Sequence, residues 1–363
     1  MAKRVSVDKW LFGSTLLLVF TGLIMVFSAS AVMAGEKFGS PYAFLIRQLI
    51  WAVAGVGAMV ACMNIDYRKY KNQTLVYALL AVTLGLLIAV FFLDRSHNTH
   101  RWIRFGAFSF QPSELAKPAI ILFLAFWLET RIKTITDWKH TLMPAAIVTL
   151  MLTGLIVKQP DLGTGIACVA IAVSMLFVAG MEVKYLGYAF LASILPMYWL
   201  LFRVAFRRKR MLAFLDPNAD PLGTGFHMIQ SLIAVATGGI TGQGLMEGKQ
   251  KLFYLPEPHT DFIFAVTSEE LGLVGSCFVV LLFTIFLYRG VRAAVLTEDT
   301  FGRLLATGIT AMVVVQAFFN VSVVLGLLPT KGIPLPFISY GGSSLFITLA
   351  SVGVLLNITQ QAE

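Results

Sequence analysis

Leu11-Phe-Gly-Ser-Thr-Leu-Leu-Leu-Val-Phe-Thr-Gly-Leu-Ile-Met-Val-Phe-Ser-Ala-Ser-Ala-Val-Met-Ala34 contains no charged side chain. A helix rises about 1.5 Å per residue, so about 20 apolar residues are enough to cross the hydrocarbon of a bilayer. The run follows Lys3, Arg4 and Lys9, as a signal-peptide core would, but it is too long for such a core and has no convincing cleavage site. It reads as a first transmembrane helix. Comparable stretches recur at 11–34, 44–63, 75–93, 112–130, 142–158, 162–181, 186–204, 261–288, 302–328 and 335–357. None alternates polar and apolar residues as a membrane barrel strand does.

The composition agrees with that pattern. The 363 residues are 58% hydrophobic, with a mean hydropathy of +0.80, and 13% are charged. Soluble domains carry about 25% charged residues, which excludes an ordinary soluble enzyme. Cys62, Cys168 and Cys277 all lie inside apolar runs, without the spacing of a metal site or a disulfide framework. The expected fold class is therefore an all-α integral membrane protein. It forms one bundle of about ten transmembrane helices over residues 1–363, with a long extracytoplasmic loop, 205–260, between helices 7 and 8.

An even number of spans puts both termini on one side. Lys and Arg in short loops favour the cytoplasm. The amino terminus, Arg68-Lys69-Tyr70-Lys71, Arg131 to Lys139 and Arg289 to Arg303 share the amino-terminal side, so both termini are expected to be cytoplasmic. That orientation leaves His97 to Arg104, Lys158, Arg203 and Arg207-Arg208-Lys209-Arg210 outside, against the usual bias. External cations kept against the bias suggest an anionic ligand. The alternative is an interfacial helix that lays Arg207 to Arg210 beside lipid phosphates.

The long loop enters the eighth span through Tyr254-Leu-Pro-Glu-Pro-His-Thr-Asp261-Phe-Ile-Phe-Ala-Val-Thr-Ser-Glu269-Glu270-Leu-Gly-Leu-Val-Gly275. A helix starting near Thr260 puts Asp261 in its first turn at the membrane rim, with Glu269 and Glu270 about 12 Å deeper. Asp at such a place commonly caps the helix. Here it terminates a 56-residue segment, Ala205 to Thr260, and loops that long are usually functional. Within it, Phe226 to Thr237 is apolar but has the length of a re-entrant or interfacial helix. Gly238 to Lys251 follows, its glycines able to turn backbone N–H groups toward an anion and Lys249 and Lys251 adding charge. The glycine spacing is not that of a nucleotide P-loop, and a flexible linker would be glycine-rich too.

Ionisable residues within spans are functional candidates, because a charge in hydrocarbon costs several kcal/mol. Arg47 sits early in the second span. Glu114 and Lys117, three residues apart in Gln111-Pro-Ser-Glu-Leu-Ala-Lys-Pro118, can form a structural pair or line a cavity. Lys158-Gln-Pro-Asp161-Leu-Gly-Thr-Gly165 forms a tight polar turn whose charges serve as helix caps. In the last hairpin, three prolines stiffen the turn around Lys331, while Gly341 to Ser344 suit close packing or contact with a lipid chain.

Several of these segments together resemble one family. They are Arg101-Trp-Ile-Arg104-Phe-Gly with Gln111 to Lys117, Lys158-Gln-Pro-Asp-Leu-Gly-Thr, Gly248-Lys-Gln-Lys251 through Glu270, Gly326-Leu-Leu-Pro-Thr-Lys-Gly, and Pro336-Phe-Ile-Ser-Tyr-Gly-Gly-Ser-Ser344. In this order, over nearly the whole chain, they resemble the SEDS proteins, represented by FtsW, RodA and SpoVE. Pro-Thr-Lys-Gly before the last span is more similar to FtsW or SpoVE than to RodA. Thr267-Ser268 and Val321-Ser322 depart from the small or aliphatic residues usual there, which affects local packing and leaves the motif charges intact.

The resemblance implies a peptidoglycan glycosyltransferase that polymerises lipid II at the outer face of the bacterial cytoplasmic membrane, inverting the sugar and releasing undecaprenyl diphosphate. It implies as partners the nascent undecaprenyl-linked glycan, a class B penicillin-binding protein and other division-complex membrane proteins, with no nucleic acid. It also implies a divalent cation, Mg2+ or Mn2+, although no group of carboxylates in the sequence fixes a metal site. The family's catalytic Asp, in the loop entering the eighth span, matches Asp261. Candidate substrate-binding residues are Arg101, Arg104, Glu114, Lys117, Arg207, Arg210, Lys249, Lys331 and Ser343. A sugar hydroxyl attacking an anomeric carbon needs a base, whereas a pyrophosphate leaving group needs cations more than a proton donor. One carboxylate among Lys and Arg is therefore enough, unlike the two-carboxylate glycosidases. A helix amino terminus favours the ionised carboxylate and would weaken that base. Two other functions compete: a transporter that flips lipid-linked precursors, drawing on Glu114, Lys117, Glu269 and Glu270, and a scaffold in which no single polar residue is indispensable.

Overall fold

Asp8, Asn72, Asp161 and Asp299 each stand immediately before an apolar run, and each accepts a backbone N–H from the first turn of the helix that follows. The computed structural model describes residues 7–94, 100–105, 108–252, 254–330 and 332–362. Its helices are α1 (Lys9–Phe38), α2 (Ala43–Asn64), α3 (Gln73–Leu93), α4 (Pro112–Glu129), α5 (Met143–Lys158), α6 (Leu162–Val178), α7 (Val183–Phe202), α8 (Ala205–Leu215), α9 (Phe226–Gly238), α10 (Ile263–Leu296), α11 (Thr300–Val324) and α12 (Gly342–Thr359). Two three-residue strands, β1 (Ile103–Phe105) and β2 (Phe108–Phe110), pair antiparallel between α3 and α4.

Among the described residues, eight helical segments are long and apolar enough to cross a membrane: α1, α2, α3, α5 with the turn before it, α7, α10, α11 and α12. The chain is a multi-pass helical membrane protein. Two of the ten expected spans fall outside that set for physical reasons. α4 carries Glu114, Lys117 and Glu129 within 18 residues, and α6 has only 17. Both nevertheless pack on each other and on α11, and α4 is buried along most of its length.

Close approach is made where side chains are small. α12 runs along α2, with Gly353 so near the Met59 main chain that a methyl there would overlap it. Gly22 of α1 lies equally close to the Phe337 carbonyl. α7 differs from the others in having no buried residue; its main packing partner is α8. Asp8 binds Arg289 and Arg68 binds Gln361, so the chain starts and finishes at the same end of the bundle.

The 205–260 segment is mostly folded. α8 and α9 lie within it, α9 where the short apolar stretch predicted a re-entrant or interfacial helix. Beyond α9 the chain docks against α10 at a break in that helix. Gly272 adopts φ 65°, ψ −162°, which interrupts the helix. The Glu269 and Glu270 carbonyls freed by the break accept from the N–H groups of Gln243 and Gly244, each at 3.0 Å. On the far side, Leu273 and Val274 donate to the carbonyls of Gly239 and Ile240 at 2.9 and 3.2 Å. The glycine-rich segment thus plugs the break and satisfies main-chain groups that hydrocarbon could not.

That arrangement changes the meaning of the two buried glutamates. Glu269 accepts from the backbone N–H of Lys249 at 2.8 Å and of Gln250 at 3.2 Å. Glu270 pairs with Lys251 at 2.6 Å and with Ser28 of α1 at 2.7 Å, and accepts from Met246 N. The glycine-rich segment does turn its N–H groups toward an anion, and the anion is the protein's own Glu269.

Candidate active site

Asp261 sits two residues before α10 rather than in its first turn, and the N-cap position belongs to Phe262. The three carbonyls leading up to the helix are each held. His259 O accepts from Tyr340 N at 2.9 Å, Thr260 O from Ser339 Oγ at 2.6 Å, and Asp261 O from Asn320 Nδ2 at 2.8 Å. Residues 259–261 are therefore strapped to the segment before α12 and to α11. Gly332 lies against the Asp261 carboxylate, close enough that a Cβ would overlap it.

The carboxylate borders a cavity of about 830 Å3 at the end of the bundle opposite the termini. Arg101, Lys158, Arg207 and Arg210 supply cations to its wall. Val157, Leu162, Leu201, Val204 and Met211 supply an apolar one. α8 sorts the basic run by helical spacing: Arg207 and Arg210, three apart, turn inward, while Arg208 and Lys209 are exposed.

Main-chain carbonyls orient these guanidinium groups. Arg101 donates through Nε to Gln159 O at 3.0 Å and through Nη2 to Pro160 O at 2.6 Å. Arg207 donates to Val157 O and Arg210 to Thr330 O, both at 3.3 Å. Lys158 lies over the Phe91 ring at 5.7 Å. Asp161 also lines the cavity, and it caps α6 by accepting from Thr164 N at 3.1 Å while its other oxygen accepts from Gln111 at 3.3 Å.

Burial pushes the Asp261 carboxyl up to about 6, with Glu257 adding to the rise and Arg210 and Arg101 opposing it. This outweighs the depression expected from a helix amino terminus. A carboxylate near 6 is ionised at neutral pH and still basic enough to take a proton. Arg207 and Arg210 are both lowered from the ordinary arginine value, chiefly by burial, and the Arg101 charge acts in the same direction. A cluster of four cations with two carboxylates, Asp161 and Asp261, is the surrounding that a dianionic or pyrophosphate ligand would relieve.

Other residues expected at the site are placed elsewhere. Glu114 and Lys117 form a buried pair at 2.8 Å, completed by Gln316 Oε1 on the lysine and Ser344 Oγ on the glutamate, which ties α4 to α11 and α12. Ser343 is buried, its Oγ accepting from Gln111 N at 3.4 Å, and is used for packing. Lys249 is held by its main chain to Glu269, and Arg104 is exposed on β1; neither borders the cavity. Lys331 lies outside the described residues.

With this geometry in place, the chain can be set beside known proteins. The cell cycle protein family that comprises FtsW, RodA and SpoVE matches residues 8–363. The chain belongs to the FtsW/RodA/SpoVE family. Within it, the chain is 45% identical to the probable peptidoglycan glycosyltransferase FtsW of Geobacter metallireducens, over 94% of this chain and 92% of that protein. It is 44% identical to stage V sporulation protein E of Bacillus subtilis, over 99% of both. Its fold is similar to a chain from a peptidoglycan synthase complex that coordinates polymerization and crosslinking, with a TM-score of 0.80, 29% identity and 99% of each chain covered. It is also similar to the rod shape determining protein RodA of Thermus thermophilus, with a TM-score of 0.71, 27% identity and 98% and 97% covered.

Among the described residues, the side chains do not form an all-protein cage for the divalent cation that the resemblance implies. Among the described residues no three His, Cys, Asp or Glu side chains gather as metal ligands. Both oxygens of Asp161, the other carboxylate bordering the cavity, are already engaged. The sequence assigns no role to two residues that shape the site: Gly332 enters only as the end of the Gly326-Leu-Leu-Pro-Thr-Lys-Gly motif, Asn320 stands uncharged inside an apolar span, and their contacts with Asp261 show what each does.

Proposed function

We propose that this protein is a peptidoglycan glycosyltransferase that polymerises lipid II, with Asp261 as the general base. The observation that carries the reading is that the Asp261 carboxylate, which caps no helix, and the cations Arg101, Lys158, Arg207 and Arg210 border the same cavity, whose wall is partly apolar. The acceptor sugar's hydroxyl oxygen bonds to the anomeric carbon of the donor as the carbon–oxygen bond to the pyrophosphate breaks. The hydroxyl proton goes to Asp261, and the electron pair of the broken bond leaves on the pyrophosphate. Fixed guanidinium groups stabilise that developing charge, and the apolar wall suits the first units of a prenyl chain.

The reading places both termini in the cytoplasm and the cavity at the outer face of the bacterial cytoplasmic membrane. A class B penicillin-binding protein that crosslinks the product, together with other division-complex membrane proteins, fits as partner, in keeping with the peptidoglycan synthase complex of similar fold. The transport reading has less support. Glu114, Lys117, Glu269 and Glu270, the charges it would use, are all engaged in holding helices and loop together. The test is polymerisation of labelled lipid II by the purified protein with its penicillin-binding partner. Glycan strands from wild type and none from Asp261→Asn support the reading. Equal polymerisation by both would overturn it.

A further inference from the structure

Asn320, near the end of α11, is 2% exposed and carries no charge, yet both hydrogens of its amide are committed. Nδ2 donates to Asp261 O at 2.8 Å and to Ile333 O at 2.7 Å. One side chain therefore joins the two main-chain segments between which the Asp261 carboxylate is held: the segment that carries it and the segment whose Gly332 lies against it. No other residue type of this size presents two donors from one nitrogen in this direction. The neighbouring straps at His259 O and Thr260 O come from Tyr340 and Ser339, just before α12, so among the described residues Asn320 is the one whose side-chain amide links this ridge to α11.

We infer that Asn320 is a positioning residue for Asp261: it fixes the separation of the Asp261 and Ile333 main chains and so the place of the carboxylate at the cavity edge. The inference rests on Asp261 being the base. Without the amide, two carbonyls in a buried place lose their donor, and the ridge must shift or admit water to satisfy them. The cavity cations belong to the segment before β1 (Arg101), the end of α5 (Lys158) and α8 (Arg207 and Arg210), and the Asn320 amide bonds none of them. Substrate binding and turnover should therefore separate.

The experiment measures kcat and KM for lipid II polymerisation, with the penicillin-binding partner present, for wild type, Asn320→Ala, Asn320→Gln and Ser231→Ala. Ser231 of α9 donates to Val324 O at 2.9 Å, so its variant removes a buried hydrogen bond at the end of the same helix without touching the ridge. Asn320→Ala should lower kcat by about 10- to 100-fold, the range expected for misplacing a reacting group by about 1 Å. KM should stay within about twofold. Ser231→Ala should keep the wild-type kcat. The acid limb of the Asn320→Ala pH profile should move to lower pH, because a released carboxylate gains water. A purely structural role would instead lower the amount of active enzyme and leave the limb where it is. Wild-type kcat in Asn320→Ala, or equal losses in Asn320→Ala and Ser231→Ala, would overturn the inference. If Asn320→Ala does not fold, Asn320→Gln decides, since its donors are kept but displaced: a lowered kcat supports positioning, and a wild-type kcat overturns it. Asp261→Asn assayed alongside separates the two levels. If that variant is active, the base assignment fails; if it is inactive while the Asn320 variants turn over normally, only the positioning inference fails.

Discussion

Gly332 lies against the carboxylate of Asp261 so closely that an added Cβ would overlap Oδ2. The acid is thus held in a slot whose wall is bare main chain. Gly332→Ala should push the carboxylate off its position and reduce kcat by about 10- to 100-fold. The stability of the protein should change little, because the displaced group can move into the cavity. Steady-state polymerisation and thermal unfolding of the same preparation check both parts.

Asp261 with its carboxyl raised to about 6 makes the rate depend on pH in a defined direction. The base must be ionised, so kcat should be flat above about pH 7 and fall about tenfold per unit well below 6. A limb near 4 would mean that the carboxylate is not desolvated during turnover.

Stability should run the other way. The folded carboxyl binds its proton more tightly than an unfolded one, so the group favours folding at low pH and loses that contribution as pH rises from the ordinary 3.8 through about 6. At neutral pH its ionised form is a net cost, at most about 3 kcal/mol and less because part of the group reaches the cavity. Asp261→Asn should therefore unfold at a higher temperature than wild type at pH 8, with the gap closing toward pH 4. Melting curves across pH test this, and an Asn variant that is less stable at pH 8 would contradict the burial argument.

Arg207 and Arg210 face the cavity while Arg208 faces away. Charge-assisted hydrogen bonds to a desolvated pyrophosphate are each worth about 1.5–3 kcal/mol. Arg207→Gln and Arg210→Gln should weaken lipid II binding by about 10- to 100-fold. Arg208→Gln should change it by less than about fivefold, as an exposed charge does. Binding measured in detergent removes the bilayer phosphates from the comparison.

The Glu114–Lys117 pair predicts a stability effect without a direct catalytic one. Lys117→Met leaves a buried glutamate without its cation and should destabilise the protein by about 3–5 kcal/mol. Adding Glu114→Gln should restore much of the loss. Unfolding of the two variants in the same detergent gives the answer.

The helices were readable because crossing hydrocarbon demands length and apolarity, which a sequence displays directly. Asp261 was readable because it stood where a polar loop meets an apolar run, and the inward pair Arg207 and Arg210 follows from helical spacing. The functions of Glu269 and Glu270 were not readable. They looked like deep charges available for transport, but their partners are backbone N–H groups and Lys251, brought to them only by the fold. Asn320 and Gly332 were missed for a similar reason: each acts on Asp261 across a long sequence separation, one through an amide and the other by having no side chain. The span expected at 112–130 is present as the helix α4 within the bundle, but Glu114, Lys117 and Glu129 keep it out of the helices apolar enough to cross a membrane by composition.

The break in α10 at Gly272, filled by residues 239–244, has a mechanical result. The piece of α10 before the break begins two residues after Asp261 and anchors the glycine-rich segment at its last turn, so the chain that joins that segment to Asp261 is tethered at both ends to one short rod. A force applied at this end of the bundle would tilt the rod, the tether and the Asp261 carboxylate as a unit. The amides of Gln243, Gly244, Lys249 and Gln250, though in no regular element, should resist hydrogen exchange as long as helical ones do.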